Sequence, residues 1–167
     1  MAKKIMAWSK CTIEIGKSGA SGAMGTTLTS IGTIKDKSSS LEPSDGEELE
    51  MKATGGEVVA KEVQEGGLTL TTRVIEPTDD LITSLGVGTT ASGETKITTH
   101  VVDGDWSVKV TPKNTGAKGI KAPVTNITYK PGWSEEDGNY ADIDFDILKG
   151  EAGYWYSYFT VGSESKA

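Results

Sequence analysis

A glycine, a lysine and a hydroxyl residue follow one another at Gly16-Lys17-Ser18, and phosphate-binding loops use these residue types. Such a loop also requires an earlier glycine, at the position that Cys11 occupies here, and a helix directly after the motif. The residues that follow are rich in glycine and then alternate between apolar and polar, as in a strand. We therefore interpret residues 16–25 as a flexible loop and expect no nucleotide site.

Three aspartates, Asp142, Asp144 and Asp146, are spaced as calcium-binding oxygen ligands can be. Apolar residues interleave with them at period two, no glycine follows Asp146, and no glutamate closes the loop. This pattern is typical of a strand with an acidic, solvated face. Because like charges on one face repel, we expect a neighbouring lysine-bearing strand or subunit, with a metal ion as the alternative.

The only histidine, His100, and the only cysteine, Cys11, could together perform nucleophilic catalysis. His100 falls within a predicted strand, and a buried, unreactive thiol is the simpler interpretation of Cys11. No base, nucleophile and metal set converges elsewhere in the sequence. We therefore expect a protein that is not an enzyme and that needs no cofactor.

Aromatic residues cluster near the carboxyl terminus and could stack on a sugar or a nucleobase. Strand alternation would place Trp155 and Phe159 on one face and Tyr154, Tyr156 and Tyr158 on the other. Since both faces would then be covered, the pattern favours a core combined with a subunit interface over a ligand platform.

The composition is that of one turn-rich, all-β domain spanning residues 1–167, with 35% hydrophobic residues and 21 glycines. A net charge of −7 argues against a protein that grips nucleic acid through its phosphates. The lone cysteine and the lack of a membrane span or signal-peptide core indicate folding in a reducing cytoplasm. We expect residues 1–9 to form an N-terminal arm and residues 162–167 a flexible tail.

Alternation and turn residues predict the positions of the elements. A helix is expected after Pro77, near residues 78–85, where Thr78, Asp79 and Asp80 supply capping and helix-dipole chemistry and Gly86 is the stop. Asp103-Gly104 should form the tip of a hairpin. Strands are expected at residues 10–15, 28–34, 48–52, 68–76, 95–102, 106–111, 122–129 (ending at Pro131-Gly132), 140–148 and 154–161, the last two as an antiparallel pair.

Residues 35–61 are expected to form an extended charged arm. Leu49 and Met51 alternate with charged residues, and Gly55-Gly56 permits a reversal of the chain. So little apolar area cannot order the arm alone, and two-stranded extensions are only marginally stable. We therefore expect the arm to be mobile in the monomer and ordered on a neighbouring subunit.

The order of these features resembles that of the major tail tube proteins of long-tailed bacteriophages and related prophage particles. The resemblance covers most of the chain. It is carried by the charged arm, the segment from Lys52 to Lys61, the strand from Leu68 to Pro77, the short helix before Gly86, and the glycine- and threonine-rich strands that follow.

The resemblance implies a β-sandwich or barrel-like subunit with one flanking helix, which forms hexameric rings that stack into a hollow tube for DNA. It implies ring and stacking contacts with itself, tail terminator, tape measure and baseplate or sheath proteins as partners, and no membrane. The virion tail, assembled in the bacterial host cytoplasm, is the location implied. The candidate lumen-facing residues are Glu47, Glu48, Glu50, Lys52, Glu57 and Lys61, and the candidate interface residues are Leu41, Leu49, Met51, Tyr154, Tyr156 and Tyr158.

Two other functions fit the same sequence features. A tube subunit of a contractile injection system or type VI secretion system looks alike at this level and conducts effectors instead of DNA. A small β-sandwich adhesin or carbohydrate-binding module would use the carboxy-terminal aromatics as its binding face. The lack of a signal peptide argues against the second.

Overall fold

The computed structural model of the protein describes residues 10–44, 46–151 and 153–163, and these are mostly antiparallel β-strand with a single α-helix. The predicted all-β class with one short helix is confirmed. The expected arm at residues 1–9 and the end of the expected tail, residues 164–167, lie outside the described residues. The elements are β1 (Cys11–Lys17), β2 (Thr29–Ser30), β3 (Ser40–Pro43), β4 (Glu48–Lys52), β5 (Val58–Val63), β6 (Leu68–Ile75), α1 (Asp79–Leu85), β7 (Gly88–Ala91), β8 (Glu94–Ile97), β9 (Trp106–Pro112), β10 (Lys118–Ser134), β11 (Gly138–Ile147) and β12 (Ser157–Thr160).

The main sheet has the strand order β2-β1-β9-β10-β11-β6-β3, and β12 adds to the first part of β10. One extended segment, residues 29–35, closes this sheet. It pairs with β1 on one side and, beyond the end of β3, with β6 on the other. The Ile31 N–H donates to the carbonyl of Ile13 on β1, and the Lys35 N–H donates to the carbonyl of Arg73 on β6. The sheet is thereby closed into a barrel, which we call the barrel below, and its inward side chains form one core.

The core follows from the alternation of apolar residues along each strand. The side chains of Ile13, Val74, Val108 and Phe145 are fully buried, and Tyr129 and Ile143 are nearly so. These side chains come from five different strands, and antiparallel pairing brings them to one interior. The barrel therefore has the interior that an independently folding domain needs.

Strand β10 has 17 residues because its two parts pair with different strands of the barrel. Its first part pairs with β9 and β12 and its second part with β11, and the register with β9 shifts between Ala122 and Thr125. Pro123 lies at that shift, where a missing N–H costs least. The predicted end at Pro131-Gly132 is wrong: β10 continues to Ser134, because the φ of proline is compatible with an extended strand.

The helix forms where capping residues predicted it. The Thr78 side chain accepts from the N–H of Leu81, two aspartates occupy the first turn, and Gly86 ends the helix in the left-handed region at φ 73°. Leu81 and Leu85 are buried against the barrel. The helix prediction is confirmed, with its first residue at Asp79.

The hairpin predicted at Asp103-Gly104 is wrong. The short hairpin in this region joins β7 to β8 through Ser92-Gly93, whose φ values of 53° and 77° suit a two-residue turn. Gly104 does adopt a positive φ of 87°, but β9 pairs with β1 and β10, not with the residues before Asp103. Gly104 thus has the backbone conformation that a turn requires, but the residues on its two sides do not form a pair of strands.

Two further strand predictions need correction. The expected pair of residues 140–148 and 154–161 does not form, because β11 pairs with β10 and β6 while β12 pairs with β10. Of residues 28–34, only Thr29–Ser30 forms a strand, because the rest crosses between the two ends of the sheet, with Gly32 at φ 108°. In both cases the pairing depends on how the barrel closes, through contacts between residues that are far apart in sequence.

Candidate assembly surface

The feature that distinguishes this molecule is a two-stranded ribbon that leaves the barrel. Strands β3 and β6 belong to the barrel, and beyond them the chain continues as the hairpin of β4 and β5. The Ser44 N–H donates to the Gly67 carbonyl at 2.8 Å, and this bond marks where the ribbon begins. We call residues 44–67 the arm. The predicted range 35–61 was shifted, since Ser40–Pro43 pairs with β6 in the barrel.

The tip and the base of the arm each depend on glycine. At the tip, Gly55 and Gly56 have φ values of 95° and 88°, which the predicted reversal requires. At the base, a Cβ on Gly46 would lie 1.5 Å from the Gln64 carbonyl oxygen. The two strands can therefore approach each other there only because residue 46 has no side chain.

The arm buries almost nothing within the subunit. Every residue from 47 to 65 is exposed, and this includes apolar side chains: Met51 is 62% exposed and Val63 is 63% exposed. One side-chain hydrogen bond connects the base of the arm to the carboxy-terminal segment, from Trp155 Nε1 to Glu65 Oε1 at 3.1 Å. A two-stranded ribbon that exposes apolar side chains without a covering layer is a surface suited to a partner.

Charged and apolar side chains lie on both faces of the arm. Glu48, Glu50, Lys52 and Lys61 share one face, which we call the charged face, where Lys61 and Glu48 are 3.1 Å apart and Lys52 and Glu50 are 3.7 Å apart. Val63, directly opposite Glu48, lies on the same face. The opposite face, which we call the mixed face, carries Leu49, Met51, Ala60 and Glu62. Four of the six candidate lumen residues are thus neighbours.

The other two candidate lumen residues lie apart from that group. Glu47 precedes β4, and the bond from the Gln64 N–H to the Glu47 carbonyl continues the ladder, so alternation places Glu47 on the mixed face. Glu57 lies next to the tip, between Gly56 and the start of β5. Alternation places Glu48, Glu50 and Lys52 on one face as predicted, but both faces of the arm are exposed, and Glu47 lies on the other face.

The candidate interface residues divide into three groups. Leu49 and Met51 are exposed on the mixed face, as an interface would need. Leu41 does not fit that role, because it lies opposite Leu70 on β6 and packs against the core of its own barrel. Tyr154 and Tyr158 are 41% and 63% exposed.

Tyr156 packs partly against the core, and its ring meets that of Tyr158 edge to face at 5.4 Å. The two hydroxyls share a hydrogen bond at 3.2 Å, which is the main reason that the pKa of Tyr156 is raised. Of the three tyrosines, Tyr156 is therefore committed mostly to its own subunit.

The aspartates of β11 find cationic partners on both neighbouring strands. Lys130 on β10 donates to Asp144 at 2.6 Å, and Arg73 on β6 donates to Asp142 through Nε at 2.7 Å. Asp146 accepts from the Thr69 hydroxyl at 3.1 Å. The expected lysine-bearing neighbour is present, as a strand of the same chain.

A fourth aspartate, Asp137, which sequence reasoning missed, completes this network. Asp137 accepts from Lys35 at 3.0 Å and from Arg73 at 2.9 Å, and its side chain is only 9% exposed. The pKa of Asp137 is lowered, chiefly by the hydrogen bond from Lys35. Asp137 lies in an acidic loop far from Lys35 in sequence, so only the strand register could reveal the contact. The network ties the β10–β11 turn to the segment that closes the barrel.

The residues considered for catalysis do not come together in the described part of the chain. His100 is exposed in a bend, not in a strand as predicted. Burial raises the pKa of the half-buried Cys11 thiol, which disfavours the reactive thiolate. Lys17 belongs to β1, and its ammonium lies 4.3 Å from the centre of the Trp106 ring, so Gly16 and Lys17 are not part of a loop as predicted. Within residues 10–44, 46–151 and 153–163, no three His, Cys, Asp or Glu side chains are placed to hold a metal ion.

No protein-family model matches the chain, and no curated protein matches it in sequence. Among the described residues, no helix has the length and apolar character needed to cross a bilayer.

Proposed function

We propose that the protein is the structural subunit of a bacteriophage tail tube, in which copies of the chain form stacked rings around a channel for DNA. The observation that carries this proposal is the arm, a ribbon without a core that projects from a closed barrel. A closed barrel presents few free strand edges, so contacts between copies fall to the parts that project. The resemblance to tail tube proteins supports the same assignment.

The charged face of the arm suits the wall of a channel through which DNA slides. Carboxylates repel phosphates, while Lys52 pairs with Glu50 and Lys61 pairs with Glu48, which moderates the field. The two glutamates and two lysines of the charged face balance, and Glu57 near the tip adds one negative charge, so DNA would meet a surface without net attraction for its phosphates. In this proposal the mixed face, with Leu49 and Met51, contacts other subunits.

Electron microscopy of the purified, concentrated protein tests the proposal directly. We expect rings or hollow tubes of uniform diameter. Particles that stay monomeric at every concentration, as measured by sedimentation velocity, would contradict a tube protein. Tubes that carry protein effectors and exclude DNA would assign the chain to an injection system instead.

Charge reversal tests which surface lines the channel. The variant Glu48→Lys, Glu50→Lys and Glu57→Lys should fold as the wild type does, because exposed charges contribute little to stability. Tubes of this variant should retain DNA at low salt and release it as salt is added, since phosphate contacts depend steeply on salt. Lys37→Glu combined with Lys96→Glu, two exposed lysines outside the arm, is the control and should not change DNA retention. Tubes of the triple variant that hold no DNA at low salt would exclude these residues from the channel wall.

A further inference from the structure

The base of the arm, where the ribbon leaves the barrel, is rich in glycine. Gly46 lies on one strand, and Gly66-Gly67 lies on the other. Ser44 and Gly67 join the two strands, because the Ser44 N–H donates to the Gly67 carbonyl at 2.8 Å and the Gly67 N–H donates to the Ser44 hydroxyl at 2.9 Å. These bonds fix the spacing of the strands, but glycine leaves the backbone free to bend beside them. The backbone alone therefore does not set the direction of the arm.

Packing does not set the direction of the arm either. Every residue from 47 to 65 is exposed, so the arm has no buried side chain that would resist a change of angle. A two-stranded ribbon in this situation can change its angle to the barrel without losing its own cross-strand hydrogen bonds. A specific contact between the arm and the barrel, close to the base, is then what keeps the arm in one orientation.

The hydrogen bond from Trp155 Nε1 to Glu65 Oε1, at 3.1 Å, is such a contact. Glu65 lies on the arm side of the Ser44–Gly67 pair, whereas Trp155 is half-buried and packs against the core of the barrel. The acceptor is a carboxylate oxygen, and hydrogen bonds to charged groups are stronger than those between neutral groups. The bond therefore connects a group that the core holds in place to a group that moves with the arm.

We propose that Trp155 is a positioning residue, which holds the arm at the angle at which the arm contacts another copy of the chain. The inference rests on the proposed function, because it concerns how the arm is presented for assembly. A ribbon that samples many angles binds only in the fraction of molecules that have the right angle, so its apparent affinity falls by that fraction. One hydrogen bond of this kind changes the fraction by about three- to tenfold.

Distance measurements on the monomer test whether the bond orients the arm. Spin labels at Thr54→Cys, at the exposed tip of the arm, and at Asn126→Cys, exposed on β10, report the angle by electron paramagnetic resonance in a Cys11→Ala background. The unaltered pair of Trp155 and Glu65 should give one narrow distribution of distances. Trp155→Phe and Glu65→Ala should each broaden this distribution, whereas Glu65→Gln keeps an oxygen acceptor and should leave it narrow.

Sedimentation velocity tests whether this orientation is the one used in assembly. Trp155→Phe and Glu65→Ala should each raise the concentration needed for assembly by about three- to tenfold. Glu65→Gln removes the same charge as Glu65→Ala but keeps an acceptor, so it should assemble nearly as well as the wild type. The double variant should behave like either single variant, because both changes remove the same bond. Glu65 is exposed, so Glu65→Ala tests the bond without altering the core.

Three results would overturn this inference and leave the tube proposal intact. The first is a distance distribution that is the same in the wild type, Trp155→Phe and Glu65→Ala. The second is a Glu65→Gln variant that assembles as poorly as Glu65→Ala, and the third is a broadened distribution with an unchanged assembly concentration. A wild-type protein that never assembles would overturn the tube proposal and the role of Trp155 in assembly, and the monomer distances would still show whether the bond orients the arm.

Discussion

The barrel and the arm are built from the same kind of β-strand but are stabilised differently. In β11 of the barrel, Phe145 and Ile143 are buried and the aspartates between them reach cations on neighbouring strands. In β4 of the arm, Leu49 and Met51 alternate with charges in the same way, yet all five residues of the strand are exposed. Alternation predicts a strand in both places, and only a second layer supplies the burial that stabilises one.

This difference explains why assembly would act on the arm first. An exposed ribbon gains apolar burial by meeting a partner, whereas the barrel has already buried its apolar face. The predictions below test this contrast, from the largest expected effect to the smallest.

Truncation of a core aromatic should separate the two regions most clearly. Phe145→Ala should lower the free energy of unfolding by about 3–5 kcal/mol, because it opens a cavity in the barrel. Met51→Ala, the matched change in the arm, should alter monomer stability by less than about 0.5 kcal/mol. Urea denaturation followed by tryptophan fluorescence measures both. Similar losses for the two variants would mean that the arm contributes to the monomer core.

Hydrogen exchange should rank the two regions in the same order. In monomers, amides of β10 and β11 should exchange at least about 100-fold more slowly than those of β4 and β5, because the arm can open without unfolding the barrel. Assembly should slow exchange in the arm and leave the barrel nearly unchanged. Equal protection of the arm in monomers and assemblies would remove the arm from the assembly mechanism.

Loss of the helix cap should have a smaller effect. Thr78→Ala removes the side-chain acceptor of the Leu81 N–H and should lower the free energy of unfolding by about 1 kcal/mol. Thr54→Ala, at the exposed tip of the arm, is the control and should stay within about 0.5 kcal/mol of the wild type. Thermal unfolding by circular dichroism distinguishes them. A neutral Thr78→Ala variant would show that the cap does not contribute to stability.

The smallest predicted effect is a change in how the free energy of unfolding depends on pH in acid. Because the pKa of Asp137 is lowered in the folded state, its contribution to stability is present above the ordinary aspartate pKa of about 3.9 and is lost as pH falls through the lower folded value. Asp137→Asn should therefore weaken the acid dependence of stability below about pH 4. Equal acid dependence in the wild type and Asp137→Asn would contradict the role of the Lys35 and Arg73 contacts.

The sequence alone predicted those features that depend only on neighbouring residues. The helix at Asp79–Leu85 depends on its own cap and stop, the reversal at Gly55-Gly56 on backbone freedom, and the faces of β4 and β11 on alternation alone. None of these depends on a distant part of the chain. The sequence itself also shows that residues 44–67 carry seven carboxylates and two lysines, whereas residues 106–130 carry five lysines and no carboxylate.

Tertiary structure decided which strands pair and what each face meets. Asp103-Gly104 and Ser92-Gly93 carry similar turn signals, but only the second joins two paired strands. The contact of Asp137 with Lys35 and the opposition of Lys109 and Lys121 depend on strand register, which joins residues far apart in sequence. The alternation of residues along a strand determines which side chains share a face. Whether that face contacts a core, another charge or solvent depends on how the barrel closes.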